Sequence, residues 1–428
     1  MRKKLLSGFI LIAVLIIPFL SNAQTPDLVK IGLVWGQTEI QVPLGEKDQL
    51  INLSGNQAQP IQTQPNITSV FSVFGEGIAV NGTPVGKGPV QIVPGNTFLT
   101  WNNQNYRHEL LVVLINGKLT LINQLPLEEY LRGVVPKEVP ALWPMASLKA
   151  QAIAARTYSI ATLGRHTADG FDLCATTHCH VYGGASAEKP TTDIAVAETA
   201  GKIIVYKGKV INAIYHSTSG GYTADPEKVW GVSEEYLKPV PDWDQSSPYS
   251  LWYRSIEWLD LQGAVARNYP QIGRLKQILP AAWGPQERII KVCLKGDKGE
   301  VILTGEQFRF MVNLPSSYMH FAVTYGPEPL VTLWWLKNSA FPEAFASLKD
   351  LPGSPTEPIS PPWDMPDPWA WLQDKTPLRV IVRGSGWGHR IGFSQWGAKG
   401  MAEAGYNENQ ILTYYYQGVS IIDAKDLK

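Results

Sequence analysis

Leu125-Pro126-Leu127-Glu128-Glu129-Tyr130-Leu131-Arg132-Gly133-Val134-Val135-Pro136-Lys137-Glu138-Val139-Pro140 is the stretch at which this 428-residue chain changes character. Upstream the chain runs through short alternating or apolar segments: Val29–Val34, Gln91–Val93, Glu109–Ile115 and Lys118–Ile122. Asn116-Gly117 separates the last two, a turn pair that tolerates the positive φ a tight hairpin needs. The region from Leu28 to about Gln124 is therefore expected to be mostly β. Downstream, Leu127 to Leu131 predicts a short helix and Pro144 to about Leu163 a longer one, Pro144 suiting a first turn where its missing N–H costs nothing. Ala146, Ala150, Ala152, Ala154, Ala155 and Ala161 favour helix and let neighbouring segments approach closely. Met145, Leu148, Ala152, Ala155 and Ser159 define one stripe, so a tightly packed central helix is expected.

The fold class that follows is α+β, with a β-rich N-terminal region (24–108) and a mixed unit (109–428) holding the Ala-rich central helix and C-terminal helices. Further strands are expected at Lys202–Tyr206 and Val210–Tyr215. A Pro- and Trp-rich insertion at about 327–376, with Pro361-Pro362-Trp363 and Pro366-Asp367-Pro368-Trp369, reads as a surface excursion. Ser394 to Ala404 reads as helix, and Asn407 with Gln410 three residues on opens a last helix through Tyr416.

Met1-Arg2-Lys3-Lys4, an apolar run of about 16 residues (Leu5–Leu20) and Ser21-Asn22-Ala23 form a signal peptide pattern over 1–23, cleaved after Ala23. The run falls short of the roughly 20 residues a spanning helix needs, so no membrane span is expected after cleavage. With 37 basic and 37 acidic residues the net charge is zero, which argues against nucleic acid as a partner. Fifteen Trp and 17 Tyr provide flat faces suited to sugar rings as well as to a core. Three cysteines, Cys174, Cys179 and Cys293, are too few for a disulfide scaffold; Cys293, in a strand from Ile289 to Leu294, reads as a small buried hydrophobe.

Two clusters carry chemistry. Glu138 sits between Pro136 and Pro140 on a constrained loop or first turn beside an apolar helix, where burial would raise its pKa and equip it as an acid. A structural pairing with Arg156, or an exposed loop charge, is the plainer alternative; Glu128 and Glu129 read as solvated or capping residues. Cys174-Ala175-Thr176-Thr177-His178-Cys179-His180 packs two thiols and two imidazoles together, with His166 eight residues upstream of Cys174. Two Cys and two His suit a closed tetrahedral zinc site, and a Cys174–Cys179 disulfide is the rival. His216, Ser217 and Ser219 precede Gly220-Gly221; strand neighbours point to opposite faces, so a Ser-His nucleophile is disfavoured against substrate hydrogen bonding or turn stabilisation.

Four ordered blocks carry a family resemblance: Leu125–Tyr158, Cys174–Gly184, Tyr215–Thr223 and Gly386–Ala398. The chain resembles the sporulation stage II protein D family over roughly Leu110 to Ser420, with Arg390 where the family has Gly and Phe393 where it has Met. The resemblance implies a lytic transglycosylase cutting the bond between N-acetylmuramic acid and N-acetylglucosamine in peptidoglycan glycan strands stripped of stem peptides, leaving a 1,6-anhydro sugar. It implies Glu138 as acid and base, since attack by the sugar's own 6-hydroxyl dispenses with the usual second carboxylate. Arg156, Tyr158, His216, Ser217, Ser219, Tyr222, His389, Ser394 and Gln395 are then the expected substrate contacts, Trp387 a further stacking surface, and Arg390 a contact in place of the lost Gly. It also implies His166, Cys174, His178 and Cys179 as ligands of a structural zinc, with His180 spare. Localisation would be the periplasm or cell wall, and a cell-wall amidase a possible partner. Relatives also act as non-catalytic amidase enhancers, and a zinc hydrolase would require an open metal position.

Overall fold

The computed structural model describes residues 28–55, 57–64, 66–284, 289–326, 330–331 and 376–427. The signal peptide pattern and most of the Pro/Trp-rich stretch lie outside the described residues. The expected α+β class is what the chain adopts.

Asn116 and Gly117 turn at φ 49° and 74°, joining Glu109–Ile115 to Lys118–Leu125 as an antiparallel hairpin. This hairpin lies within a seven-stranded sheet ordered Leu173–Cys174, Val29–Gln37, Lys118–Leu125, Glu109–Ile115, Val90–Val93, Gln49–Asn52, Gln59–Ile61. A second sheet holds Glu39–Pro43, Thr68–Phe74, Gly77–Val80 and Thr83–Gly86. Val29, Ile31, Phe71, Val112 and Leu121 share one core with Tyr130, Leu131 and Val134 of the following helix, so no break in packing falls at 108–109.

That first helix is longer than expected, Leu127–Glu138, with Pro136 inside its last turn. An interior proline costs about 3 kcal/mol. Burial of Leu127, Tyr130, Leu131, Val134 and Val135 on the core offsets it. Glu138 is thus the last helical residue rather than a loop residue. Pro140, just past the Val139 cap, bars continuation by disfavouring helical φ/ψ at the residue before it.

The central helix spans Met145–Ala161 with Pro144 as N-cap. Every residue from Ala150 to Thr157 is buried, so the expected stripe is an all-round burial. Leu148, Ala152 and Ala155 join the N-terminal core, while Ala150, Ile153 and Ala154 join a second cluster with Phe393, Met401, Leu412 and Tyr415 of the C-terminal segment. The expected helices near 394–404 and 407–416 appear as Gln395–Glu403 and Glu408–Tyr415, the latter with the Asn407/Gln410 capping box. Lys202–Tyr206 is a strand as expected, but Val210–Tyr215 is not continuous. The chain leaves Lys209–Val210 and re-forms at Tyr215–His216 to pair in parallel with Phe393–Ser394.

From Trp252 to Gly384 the chain builds a module with its own core of Trp258, Leu261, Leu294, Phe308, Phe321 and Val382. It combines the Trp252–Glu257, Thr376–Gly384, Met319–Gly326 and Leu330–Val331 strands with the Leu275–Trp283, Ile289–Gly296 and Glu300–Thr304 strands and the Trp258–Asn268 and Gly305–Met311 helices. The insertion therefore extends well beyond 327–376; the strand expected around Cys293, which is buried, was its visible part.

Arg156 fixes the two central helices together. Its side chain is 1% exposed and makes a two-pronged ion pair with Glu128, Nε and Nη2 each donating at 2.7 Å. Its guanidinium also donates to the carbonyls of Lys202 and Val196. This corrects two expectations: Glu128 is not merely solvated, and Arg156, sealed under the helices, is no substrate contact. Removing Glu128 strands a buried cation. Because Glu128 is 38% exposed, Glu128→Ala should cost about 2–3 kcal/mol, discounted from the roughly 3–5 kcal/mol of a fully buried broken pair, read as a lower urea midpoint at unchanged slope.

Candidate active site and metal centre

Glu138 ends the first helix and meets Gln395, which opens the Gln395–Glu403 helix; Gln395 Nε2 donates to Glu138 Oε2 at 3.3 Å. Gln395 is placed there by Ser394, whose hydroxyl caps that helix by accepting from the Gly397 amide. Burial raises the Glu138 pKa, while contacts from Gln395, the Tyr215 hydroxyl and the Val181 amide pull it back in part. None of these groups is charged. The helix C-terminus also disfavours a negative charge at this position. Among the described residues Tyr215 has no other partner for its buried hydroxyl, and burial holds its pKa well above 10, so it remains a donor at neutral pH. Glu138 does not pair with Arg156, which Glu128 occupies.

An aromatic shell surrounds this carboxyl. Tyr158 packs on His180 and Tyr215 at 4.9 and 6.2 Å between ring centroids, and its hydroxyl accepts from Arg165 at 2.8 Å. His180 stacks on Tyr215 and lies 3.2 Å from the Tyr130 hydroxyl, with burial lowering its pKa to about 3. His180 thus packs beneath the site as a neutral ring.

The 216–222 loop is built from below by two carboxylates and an arginine. Asp244 accepts from the Thr218 hydroxyl and from the Gly220 and Gly221 amides, the latter two at 2.7 and 3.0 Å. Asp242 accepts from the Ser219 and Tyr415 hydroxyls, each at 2.6 Å. Arg390 donates to the Ser219 and Tyr222 carbonyls and lies 4.2 Å over the Tyr318 ring of the inserted module. Arg390 keeps the positive φ, 67°, that a glycine would adopt there. Three expectations are corrected: Ser219 is buried with its hydroxyl spent on Asp242, Ser394 is a buried helix cap, and Arg390 points inward. Ser217, Tyr222 and His389 are half-buried and Gln395 reaches Glu138, while His216 is buried, its Nδ1 3.1 Å from the Ile391 carbonyl. Sequence reasoning missed Tyr215, Asp242 and Asp244. The two aspartates sit two apart, a spacing that puts both on one face of extended chain and could have flagged them.

His166, Cys174, His178 and Cys179 bring one ligand atom each to within 4.8 Å of one another. His166 Nε2 is 3.1 Å from His178 Nδ1, which lies 3.8 and 3.7 Å from the Cys174 and Cys179 sulfurs. Bonds of about 2.0–2.3 Å to one tetrahedral ion set ligand atoms roughly 3.3–3.8 Å apart, which the two His178–Cys spacings match, while the His166–His178 spacing is slightly shorter. The other nitrogen of His166 contacts Asp169 Oδ2 at 2.9 Å, an outer carboxylate that holds Nε2 free to ligate. The thiols are free, and burial pushes Cys179 up to about 11. A central cation would reverse that preference and favour thiolates. Cys174 ends the edge strand beside Gly32, and the His178 carbonyl accepts from Arg165, so the cluster ties the end of the central helix to the sheet.

A raised carboxyl pKa makes a testable sign. The folded protein holds the Glu138 proton more tightly than the unfolded chain, so ionisation there costs stability above the unfolded value, near 4.5. Glu138→Gln should therefore melt higher than the parent at pH 8, with the difference shrinking as pH falls to 4.

The family model described as stage II sporulation protein matches residues 115–206. Over 348 residues the chain is 28% identical to an uncharacterized protein of Brachyspira hyodysenteriae, covering 81% of this chain and 80% of that one. It is 30% identical over 300 residues to the amidase enhancer of Bacillus subtilis, covering 68% of this chain but only 40% of that longer protein. With the stage II sporulation protein D of Bacillus amyloliquefaciens it shares 28% identity over 319 residues, 71% of this chain and 76% of that one. Residues 115–206 thus carry the stage II sporulation protein domain, and the chain as a whole is similar to stage II sporulation protein D and its relatives.

Proposed function

We propose that this protein acts on the bacterial cell wall as a peptidoglycan lytic transglycosylase, with Glu138 as its acid and base. The observation that carries this reading is a desolvated carboxyl, raised in pKa, whose close neighbours are all uncharged. Such a group keeps its proton to higher pH than a solvated carboxyl does and has no ion-pair partner to surrender. Protonated Glu138 gives its proton to the glycosidic oxygen as the bond to the anomeric carbon of N-acetylmuramic acid breaks. The resulting carboxylate takes the proton of that sugar's 6-hydroxyl, whose oxygen closes onto the anomeric carbon. One anhydro end and one new N-acetylglucosamine end form, and Glu138 is protonated again. Gln395 and Tyr215 hold the carboxylate during the interval when it is charged.

The thiol and imidazole cluster suits zinc by its donor set. Four protein ligands leave no open position, so the ion would brace the loop between the central helix and Tyr182. Export to the periplasm or cell wall accords with the signal peptide pattern, and no helix among the described residues is long and apolar enough to cross a membrane. A second reading, a non-catalytic wall-binding protein that assists an amidase, draws on the relative named amidase enhancer.

Mass analysis of glycan strands freed of stem peptides separates the two. The parent protein should release anhydro-ended fragments and Glu138→Gln should lose at least about a hundredfold of that rate, the scale of a missing general acid; intact strands after prolonged incubation would leave the second reading. Purified protein should carry about one zinc per chain on the four-ligand scheme. Stripping it with a strong chelator should lower the melting temperature of parent and Glu138→Gln by equal amounts, whereas loss of turnover at unchanged stability would point to an open, catalytic metal.

A further inference from the structure

Lys137 precedes Glu138 in the last turn of the first helix and is exposed. A cation at a helix C-terminus suits the helix dipole, which accounts for a basic residue there but not for what its ammonium meets. Lysines on the other helices around the site are spent. Lys149 pairs with Glu198 and Lys399 with Glu403, each at 2.6 Å. Lys137 has no acidic partner among the described residues. Nor does it bond its neighbour, for none of the groups on the Glu138 carboxyl is charged.

One short segment nevertheless places both side chains. Glu138 takes the Val181 amide, and the Lys137 stem runs along Gly183. A Cβ added at Gly183 would stand 3.4 and 3.2 Å from Lys137 Cγ and Cδ and 2.6 Å from Ala187 Cβ. A side chain at 183 would therefore collide with Ala187 and crowd the lysine, so glycine leaves the stem its track. The segment itself is pinned from inside. Tyr182, between the two stations, is buried with its ring 5.0 Å from that of Tyr130, and its hydroxyl donates to Asn123 Oδ1 at 2.8 Å. The Gly183 amide donates to the Gly133 carbonyl at 3.1 Å. Val181 and Gly183 are two residues apart, so their Cα atoms lie no more than about 7 Å from one another. The acid and an unpaired cation thus rest on neighbouring stations of one fixed segment.

N-acetylmuramic acid offers a matching pair of groups. Its anomeric carbon carries the bond that Glu138 protonates, and two ring carbons along, on O3, it carries a lactyl ether. In a strand stripped of stem peptide the lactyl group ends in a carboxylate; with the peptide attached it ends in an uncharged amide. An unpaired ammonium beside the acid attracts the first and gains no charge pairing from the second. The chain as a whole carries 37 basic and 37 acidic residues, so this attraction is local and not the work of a general positive field.

Resting on the transglycosylase reading above, we infer that Lys137 binds the free lactyl carboxylate of the muramic acid whose anomeric carbon meets Glu138, and so makes the protein favour strands stripped of stem peptides.

The test compares cleavage by the full chain of two probes: glycan strands freed of stem peptides, and the same strands with their lactyl carboxyls converted to methylamides. The parent should favour the carboxylate strands, by a margin that narrows as salt is raised. Lys137→Met, which keeps most of the apolar stem, should lower kcat/KM on the carboxylate strands about 2- to 5-fold, the range of an exposed ion pair, chiefly through KM. The loss should be confined to those strands, and Lys137→Arg should restore the preference. No loss in Lys137→Met, or an equal loss on both probes, overturns the assignment, the second outcome leaving Lys137 a support for the helix end alone. Cleavage of neither probe by the parent removes the transglycosylase reading instead. Calorimetry with the Glu138→Gln chain then decides Lys137 separately: weaker binding of the carboxylate strands on adding Lys137→Met upholds it, and unchanged binding overturns it.

Discussion

Burial of the Met145–Ala161 helix on every side is the constraint on which the rest of the molecule depends. A helix can be enclosed by a sheet on one flank and helices on another only if its side chains are small, which is what the alanines at 150, 152, 154 and 155 provide. The N-terminal core closes on Leu148, Ala152 and Ala155, and the C-terminal cluster on Ala150, Ile153 and Ala154. Arg156 is the one charge admitted to this environment, and it is admitted fully paired, with Glu128 on the preceding helix and two backbone carbonyls completing its bonds.

Glu138 is where the first helix, Leu127–Glu138, ends. Its setting comes from three segments far apart in the chain: the helix that bears it, the Tyr215–His216 strand, and the Phe393–Ser394 strand that pairs with it and leads into Gln395. The parallel pairing of two short strands therefore does chemical work, since it delivers a phenol and an amide to one carboxyl. Neither donor carries charge, so the carboxyl keeps the raised pKa that burial gives it while remaining hydrogen-bonded when ionised. The thiol and imidazole cluster lies at the opposite end of the central helix, and Arg165 spans the interval by bonding both Tyr158 and the His178 carbonyl.

The inserted module shows how a second core can share a site without merging with the first. Its own strands and helices pack around Leu261, Leu294 and Phe308. Its contact with the 385–390 segment runs instead through backbone bonds from Ser385 to Tyr318 and Gly388 to Pro315, the Ser316 hydroxyl and Trp252 indole donating to the Ser385 and Gly386 carbonyls, and Arg390 over Tyr318. Arg390 holds a backbone conformation that costs a non-glycine residue on the order of 1 kcal/mol or more. Its two carbonyl contacts and the aromatic face beneath it are what sustain that conformation.

Local signals in the sequence settled the α+β class, the hairpin at Asn116-Gly117, the Ala-rich helix, the capping box at Asn407 and the grouping of His166, Cys174, His178 and Cys179, because each depends on residues within a few turns of one another. Glu138 was marked by its prolines and by resemblance, though its place at a helix end was not, since Pro136 reads locally as a breaker and only the packing of Val134 and Val135 carries the helix past it. The tertiary structure alone decided which polar residues remained for a ligand. Arg156, Ser219 and Ser394 have the right chemistry, yet distant partners or buried caps consume them. Tyr215 is left for Glu138, and among the described residues His216 Nε2 has no partner. Hydrogen-bond satisfaction is a property of the whole packed chain, and no window of sequence contains it.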